Sequence, residues 1–528
     1  MWIFERSIEF CVAKSRWVDG TPEYSFHICG LQDGLAFQGL IGRGFCVSTC
    51  MRKQKRKTSR SEDAHSVKQI LHVLESWNVP RLIPVACIAV MLINTFRLYK
   101  NAYFWLDDFN NLYWVQRATL GQMMGYIVNP VSSYFRPVGM LCYWLLLQFS
   151  GLHPAPYHWV AWSIHTANTA LVYLILWRLT KARSGAAVGA MLFATEAVYA
   201  QIYGDFGTIF ELLAGFFCFV GILLWVSERR DWWQVILASL ALLLAMKAKE
   251  VAVALALAFV IYDLLLWGNC VRTLAGQWLL PCGLSLWYGL TKAAAMRGIA
   301  TTDAYYMTVN GSTLVAGFTT YGNMLLGTKF PWQAWGILVT ALLLICVLLR
   351  NRLALFFLSW IFITFLPVIF LVNHRFAFYW YLPFFGVSGL AAIVAKHVAD
   401  MIEKRNPTWL AAAGGYCVFA LLCFGTFIWH RDATRPHRAR VRQWAQEYRC
   451  FVTGLEALPS PSRREVLYFD SKPSHFNQTH LLSATQVALR RTDVGAELVS
   501  EFPSDARYRL RFEGTRLIQV PPDKNDQQ

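Results

Sequence analysis

Two adjacent carboxylates, Asp107 and Asp108, stand in the aromatic stretch YFWLDDFNNLYW (Tyr103 to Trp114), directly after an apolar run. A positioned carboxylate can take a proton from a hydroxyl as that hydroxyl attacks a carbon centre. Cations placed nearby can hold a phosphate. The chain supplies such cations at intervals: Arg136 in YFRPVG, Lys247 and Lys249 followed by Glu250 in AMKAKEVAVALAL, and His374 with Arg375 in FLVNHRFAFYWYLPFFG. His165 and Asn168, three residues apart in IHTAN, share one helical face. Glu196 ends a further apolar run, with Asp205 in the turn beyond it and Glu211 opening the next.

Each of these residues also has a plain structural role. Aspartates at a helix start cap backbone N–H groups. Buried His and Asn in apolar helices more often join neighbouring helices by hydrogen bonds than act as catalysts. Lysines near helix ends snorkel to the interface. What favours chemistry is placement, because nearly every acid in or near an apolar run lies at the same end of the threaded chain. Charges in such places are costly and point to function.

The elements that must carry these residues are helices in a bilayer. Of 528 residues, 56% are hydrophobic and only 15% charged, with mean hydropathy +0.36. A soluble chain carries about a quarter charged residues. The apolar runs number about eleven: 81–99, 157–179, 185–203, 208–226, 232–246, 251–267, 274–294, 333–350, 353–372, 379–397 and 408–429. The net charge of +17 does not indicate nucleic acid, because the basic residues collect in short loops between apolar runs, as membrane orientation requires. The thirteen cysteines show no zinc spacing.

The expected fold class is therefore an all-α polytopic membrane protein with a small α/β tail domain. Residues 1–80 are expected in the cytoplasm, 81–430 form the membrane domain with a first outer loop at 100–156, and 431–528 form a small extracytoplasmic domain. The segments 137–151 and 312–328 are expected to lie along the outer surface, since spanning there would invert the loop-charge bias. The tail should contain strands from REVLYFDSKP and YRLRFEGTRLIQV around a helix from LLSATQVALRR. Residues 1–50 lack both signal-peptide grammar and helical period, and the basic MRKQKRKTSR follows, so Met51 is the expected natural start.

With these motifs in order, the chain resembles the GT-C superfamily of membrane glycosyltransferases, and within it the protein O-mannosyltransferases and the bacterial relatives of the transmembrane-and-TPR O-mannosyltransferases. The resemblance covers about residues 80 to 400 and rests on the di-acid Asp107-Asp108, Arg136-Pro137, the H-x-x-N helix, Glu196, the Lys249-Glu250 turn with Tyr262-Asp263 beyond it, and the late NHR…YLP. It departs in having Asp-Asp where the mannosyltransferases have Asp-Glu, and in lacking a TPR array. The resemblance implies a sugar donor carried on a polyprenyl phosphate and a hydroxyl acceptor on protein, lipid or glycan, joined at the extracytoplasmic face with inversion.

On this likeness Asp107 would be the base and Asp108 its positioning partner. Arg136, Lys249 and Arg375 would hold the donor phosphate, with His165, Asn168, Glu196, Glu250 and His374 in support. Some superfamily members use a divalent metal, which two adjacent acids do not by themselves establish. The compact loops favour a bacterial inner membrane. The rival classes are a flippase of lipid-linked sugars, which should show internal repeats and broken midplane helices, and a non-catalytic envelope scaffold.

Overall fold

Every apolar run read as a crossing is largely helical in the computed structural model, which describes residues 16–18, 21–23, 79–128, 136–227, 230–267, 271–405 and 409–521. The chain divides into two compact units, 1–73 and 74–528. Within the first, β1 (Arg16–Val18) pairs antiparallel with β2 (Thr21–Glu23). Met51 and the basic stretch that it opens lie outside the described residues.

The second unit begins with α1 (Val79–Leu98), followed by three helices inside the expected first outer loop: α2 (Leu106–Val115), α3 (Leu120–Val128) and α4 (Pro137–Ser150). The helical body continues with α5 (Pro154–Thr180), α6 (Arg183–Thr195), the single turn α7 (Gln201–Gly204), α8 (Ile209–Trp225), α9 (Trp232–Ala248), α10 (Leu255–Tyr262) and α11 (Val271–Ala295). Then come α12 (Gly311–Leu326), α13 (Trp332–Leu348), α14 (Arg352–Ile369), α15 (Phe384–Arg405) and α16 (Trp409–Ala433). Local sequence sets several of these boundaries. Pro137 and Pro154 occupy first helical turns, where their missing N–H costs nothing. Asn310 caps α12 by accepting the Thr313 N–H at 2.8 Å, and Gly327 ends it at φ 61°.

Among the described residues, five helical stretches are long and apolar enough to cross a membrane: Pro154–Thr180, Phe206–Trp225, Glu250–Trp267, Arg352–Ile369 and Phe384–Ile402. Shorter apolar helices cover Pro84–Leu98, Pro137–Ser150, Trp232–Ala248 and Trp332–Leu348. On α13 side chains such as Ile337 and Leu348 are 71% and 78% exposed, an apolar wall of the kind that lipid covers. The core forms where α5, α6, α8, α9 and α15 pack together. Gly185 and Gly189 allow α6 to press on α15: a Cβ there would lie 2.4 Å from the Ala392 carbonyl and 2.6 Å from that of Ser388.

Two expected crossings are interrupted. The 185–203 run stops at Thr195, where Glu196 turns the chain, and resumes in α7. The 251–267 run opens as a 3-10 turn (Glu250–Ala254), becomes α10, and closes in a π turn (Asp263–Trp267). Asp263 anchors that last turn. It accepts from both terminal nitrogens of Arg230 at 2.8 Å each, and from the indoles of Trp225 and Trp278.

The C-terminal tail has more structure than its sequence announces. The helix α17 (Arg435–Glu456) precedes β3 (Val466–Phe469), α18 (Gln478–Ala488), β4 (Gly495–Leu498), β5 (Arg509–Glu513) and β6 (Arg516–Gln519). The sheet order is β4-β3-β5-β6, with β3 parallel to both neighbours and β5-β6 a hairpin. This tail seats on α2, the helix of the di-acid. Trp105 meets Trp444 at 4.0 Å between rings, Phe109 lies 5.8 Å from Phe476, and Arg117 donates to Gln486 at 2.6 Å.

Candidate functional site

Two charged groups lie within electrostatic reach of one residue, Glu211. The first is acidic. Asp108 sits in the first turn of α2, fully buried, where one carboxylate oxygen accepts the Trp105 N–H at 2.6 Å and the other accepts the Tyr143 hydroxyl. The capping role is therefore real, but it does not account for the neighbour. Asp205 is 6% exposed and close enough to push on the Asp108 charge. Its own carboxylate accepts from Gln201 at 2.7 Å and from the Gly207 N–H at 2.8 Å. Burial raises the pKa of Asp205 to about 7, and the charge of Asp107 adds to the rise. Burial, then the Asp205 charge, also hold Asp108 well above the usual carboxylate range. Asp107, one residue earlier, is exposed. The di-acid is thus split into one reachable carboxylate and one fixed in place.

The second group is cationic. Arg136 is the residue before α4, 12% exposed; its Nε lies 3.0 Å from Glu250 and its Nη2 donates to the Tyr305 hydroxyl at 2.9 Å. Lys292, from α11, reaches the same Glu250 at 3.0 Å. Lys249 lies 2.5 Å from Glu211 and within 5.5 Å of the Phe378 and Tyr379 ring centres. Lys247 is buried and feels the charge of Lys292. Glu211, Glu250 and Asp303, which acts on His374 of the same group, offset much of this positive charge. The interrupted start of the Glu250–Trp267 stretch makes this convergence geometrically available, since it releases Lys249 and Glu250 from a continuous helix.

His374 joins the group from the loop after α14, with its ring 4.6 Å from that of Tyr305. Burial and then the charges of Lys249 and Arg136 lower its pKa to about 4, so at neutral pH it is an uncharged imidazole. The acidic and cationic groups are linked through α8. Glu211 acts electrostatically on both Asp205 and Arg136. Phe210 lies beneath Arg136 at 5.5 Å and 6.0 Å from Tyr143, the phenol that holds Asp108.

Of the residues singled out in the sequence, Asp107, Asp108, Arg136, Lys249, Glu250 and His374 are brought into this region. Arg375 is not: its guanidinium donates to the Leu371 carbonyl at 2.9 Å and approaches Thr320 at 3.5 Å. Glu196 caps its own turn through the Val198 N–H at 3.0 Å. His165 and Asn168 both bond the Tyr381 hydroxyl at 2.9 Å, and Asn168 also donates to the Leu212 carbonyl, so both tie helices together. Asp205, Glu211, Lys292 and Tyr305 belong to the region although they were not among the candidates. The first two resemble ordinary helix-end acids; Lys292 and Tyr305 carry no local motif. Among the described residues, no three of His, Cys, Asp and Glu gather as a metal-binding group.

The helical bundle, its interrupted helices and the small α/β cap form a fold that is also seen in a solved membrane-protein structure. ArnT from Cupriavidus metallidurans, solved with bound undecaprenyl phosphate, superposes over 78% of this chain and 85% of its own, with a TM-score of 0.52 and 14% identity. The same protein in its apo state covers equal shares at 14% identity and a TM-score of 0.49. The likeness is one of fold, and it does not single out the O-mannosyltransferases. No protein-family model and no curated protein matches the sequence.

Proposed function

We propose that the chain is a membrane glycosyltransferase that moves a sugar from a polyprenyl-phosphate donor to a hydroxyl acceptor. The observation that carries this reading is the juxtaposition of an exposed carboxylate, a buried acid pair and a cluster of buried cations within one GT-C-like fold. Undecaprenyl phosphate, the lipid held by ArnT, is the chemical class that such cations would suit.

In the proposed reaction the acceptor oxygen attacks the anomeric carbon as Asp107 takes its proton, while the bond from that carbon to the phosphate oxygen breaks. The phosphate leaves with the bonding pair as polyprenyl phosphate, and the anomeric configuration inverts. Arg136 and Lys249, with Lys292 behind Glu250, neutralise the charge that develops on the leaving group. Asp108, fixed by Trp105 and Tyr143, keeps the start of α2 in register so that Asp107 is presented. The site-bearing end would face the extracytoplasmic side.

The test uses purified full-length protein with undecaprenyl-phosphate mannose and undecaprenyl-phosphate arabinose, reading release of undecaprenyl phosphate. Asp107→Asn should lower turnover by about 10²–10⁴-fold while leaving expression and melting temperature unchanged. Turnover that survives this change would remove Asp107 as the base. Lys249→Gln should instead weaken undecaprenyl-phosphate binding by about ten- to a hundredfold, the scale of a lost charge-assisted hydrogen bond. A flippase would move lipid without releasing the sugar.

A further inference from the structure

A second cationic feature lies where α16 hands over to α17. Arg431, Arg435, Arg438 and Arg442 line a groove of about 380 Å³ in which Asp432 is the one acid among the described residues. Arg438 and Arg442 also line an adjoining smaller cavity with Arg97 and Lys100, which come from the end of α1. Asp432 is taken up by Arg431 at 2.9 Å. Among the described residues, Arg97, Lys100, Arg435 and Arg442 form no salt bridge. Arg438 holds position by donating to the Arg431 carbonyl at 2.5 Å and to Thr434 at 3.2 Å. Burial, together with the Arg442 and Arg431 charges, pulls its pKa below the usual value against the opposing pull of Tyr99 and Asp432. The cluster therefore carries more positive charge than its surroundings compensate.

Its height on the molecule indicates the partner. Just below Arg97 on α1, Val90 and Ile93 are 56% and 41% exposed. Just below Arg431 on α16, Leu421, Phe424 and Trp429 are 61–69% exposed. Exposed apolar side chains ending in a Trp and then in arginines mark the level at which acyl chains give way to headgroups. On the orientation read from the sequence this is the extracytoplasmic side, where the loop-charge rule does not ask for arginines. Arginine also suits phosphate better than lysine, because its planar fork bonds two oxygens at once.

We propose that this groove, formed by Arg435, Arg438 and Arg442 of α17 with Arg97 and Lys100 of α1, binds the phosphate headgroup of an anionic membrane phospholipid. The bound lipid holds α17, and with it the tail, against the membrane surface beside the bundle. It is separate from the proposed donor phosphate at Arg136 and Lys249.

The experiment is native mass spectrometry of the full-length detergent-solubilised protein titrated with phosphatidylglycerol or phosphatidylcholine. The native chain should retain phosphatidylglycerol in preference to phosphatidylcholine. Combined Arg435→Gln, Arg438→Gln and Arg442→Gln substitution should weaken retention by roughly fivefold per arginine, and Lys at the same positions should restore most of it. Should the triple variant not fold, Arg435→Gln and Arg442→Gln alone are both exposed positions suited to the same readout. Equal phosphatidylglycerol retention by native and Gln proteins with matching melting temperatures would overturn the site. So would displacement of the lipid by millimolar inorganic phosphate, which would make the groove a receptor for free anions.

Discussion

Tyr143 shows how little of a site's logic is written in single residues. It sits in the middle of α4, fully buried, in a stretch that reads as plain apolar helix, yet its hydroxyl fixes Asp108 beside Asp205. The consequence is a pH response. Asp205 has its pKa raised from 3.8 to about 7, and that of Asp108 is raised too. A raised carboxyl pKa means that the folded chain holds its proton more tightly than the unfolded chain. Stability from this pair is therefore fully present below the unfolded value and is lost as pH climbs toward 7. On the proposed mechanism, turnover should change over the upper part of that window. Asp205→Asn should flatten the decline of melting temperature between pH 5 and 8 and remove the inflection near pH 7 from the rate profile. If the inflection persists, another group titrates there. The sequence made Asp107, Asp108, Arg136 and Lys249 visible because each stands in an unusual local context. Asp205 and Glu211 stand out less in the sequence, since helix-end acids have an ordinary explanation that only proximity to another charged group defeats. Arg375 is the opposite case: its motif is conspicuous, and its hydrogen-bond partners are the Leu371 carbonyl and Thr320.

At the scale of elements, apolar runs are legible because a bilayer demands length, and the expected boundaries agree with the helices to within a few residues at most ends. The breaks are harder to read. Nothing in VAVALALAF says that its start will be a 3-10 turn, because that turn follows from where Lys249 and Glu250 must point. The polar α17 is hard to read for a different reason: it has no bilayer-length apolar run, and its apolar face becomes evident only where Val441, Ala445, Tyr448 and Val452 are buried. One contact between elements can be tested directly. A Cβ on Gly139 of α4 would lie 2.1 Å from the Phe210 ring, the same ring that supports Arg136. Gly139→Ala should therefore destabilise by about 1–3 kcal/mol through overpacking and also weaken undecaprenyl-phosphate binding. Gly283→Ala in α11, where nothing lies within 4 Å, is the control and should leave stability equal or slightly higher. Loss of stability with unchanged lipid binding would show that α4 and Arg136 are not coupled through Phe210.

For the whole molecule, the tail is part of the site's foundation. Read as sequence, it is a small α/β appendage with a single cysteine and no pocket of its own. In the structure it provides the far side of α2: Phe109, with no exposed surface, is enclosed by Tyr448 and Phe476, and Ser483 donates to Asn110 at 2.9 Å. Asp107 acts electrostatically on His480 of α18, so the reachable carboxylate lies at the seam between body and tail. Such long-range packing leaves no periodic mark in sequence, because each side looks like the core of its own element. The coupling predicts a particular pattern of loss. Phe476→Ala should cost about 3–5 kcal/mol of stability, as for other large-to-small changes of buried aromatics. At temperatures where the protein remains folded it should lower turnover while leaving undecaprenyl-phosphate binding near its native value, since the cations proposed to hold the phosphate stand at the start of α4, the end of α9 and on α11 rather than on α2. Hydrogen exchange at the backbone of residues 105–115 should quicken in the same variant. Turnover and donor binding falling together, with exchange in α2 unchanged, would instead mean that the tail supports the bundle as a whole and has no particular hold on the di-acid.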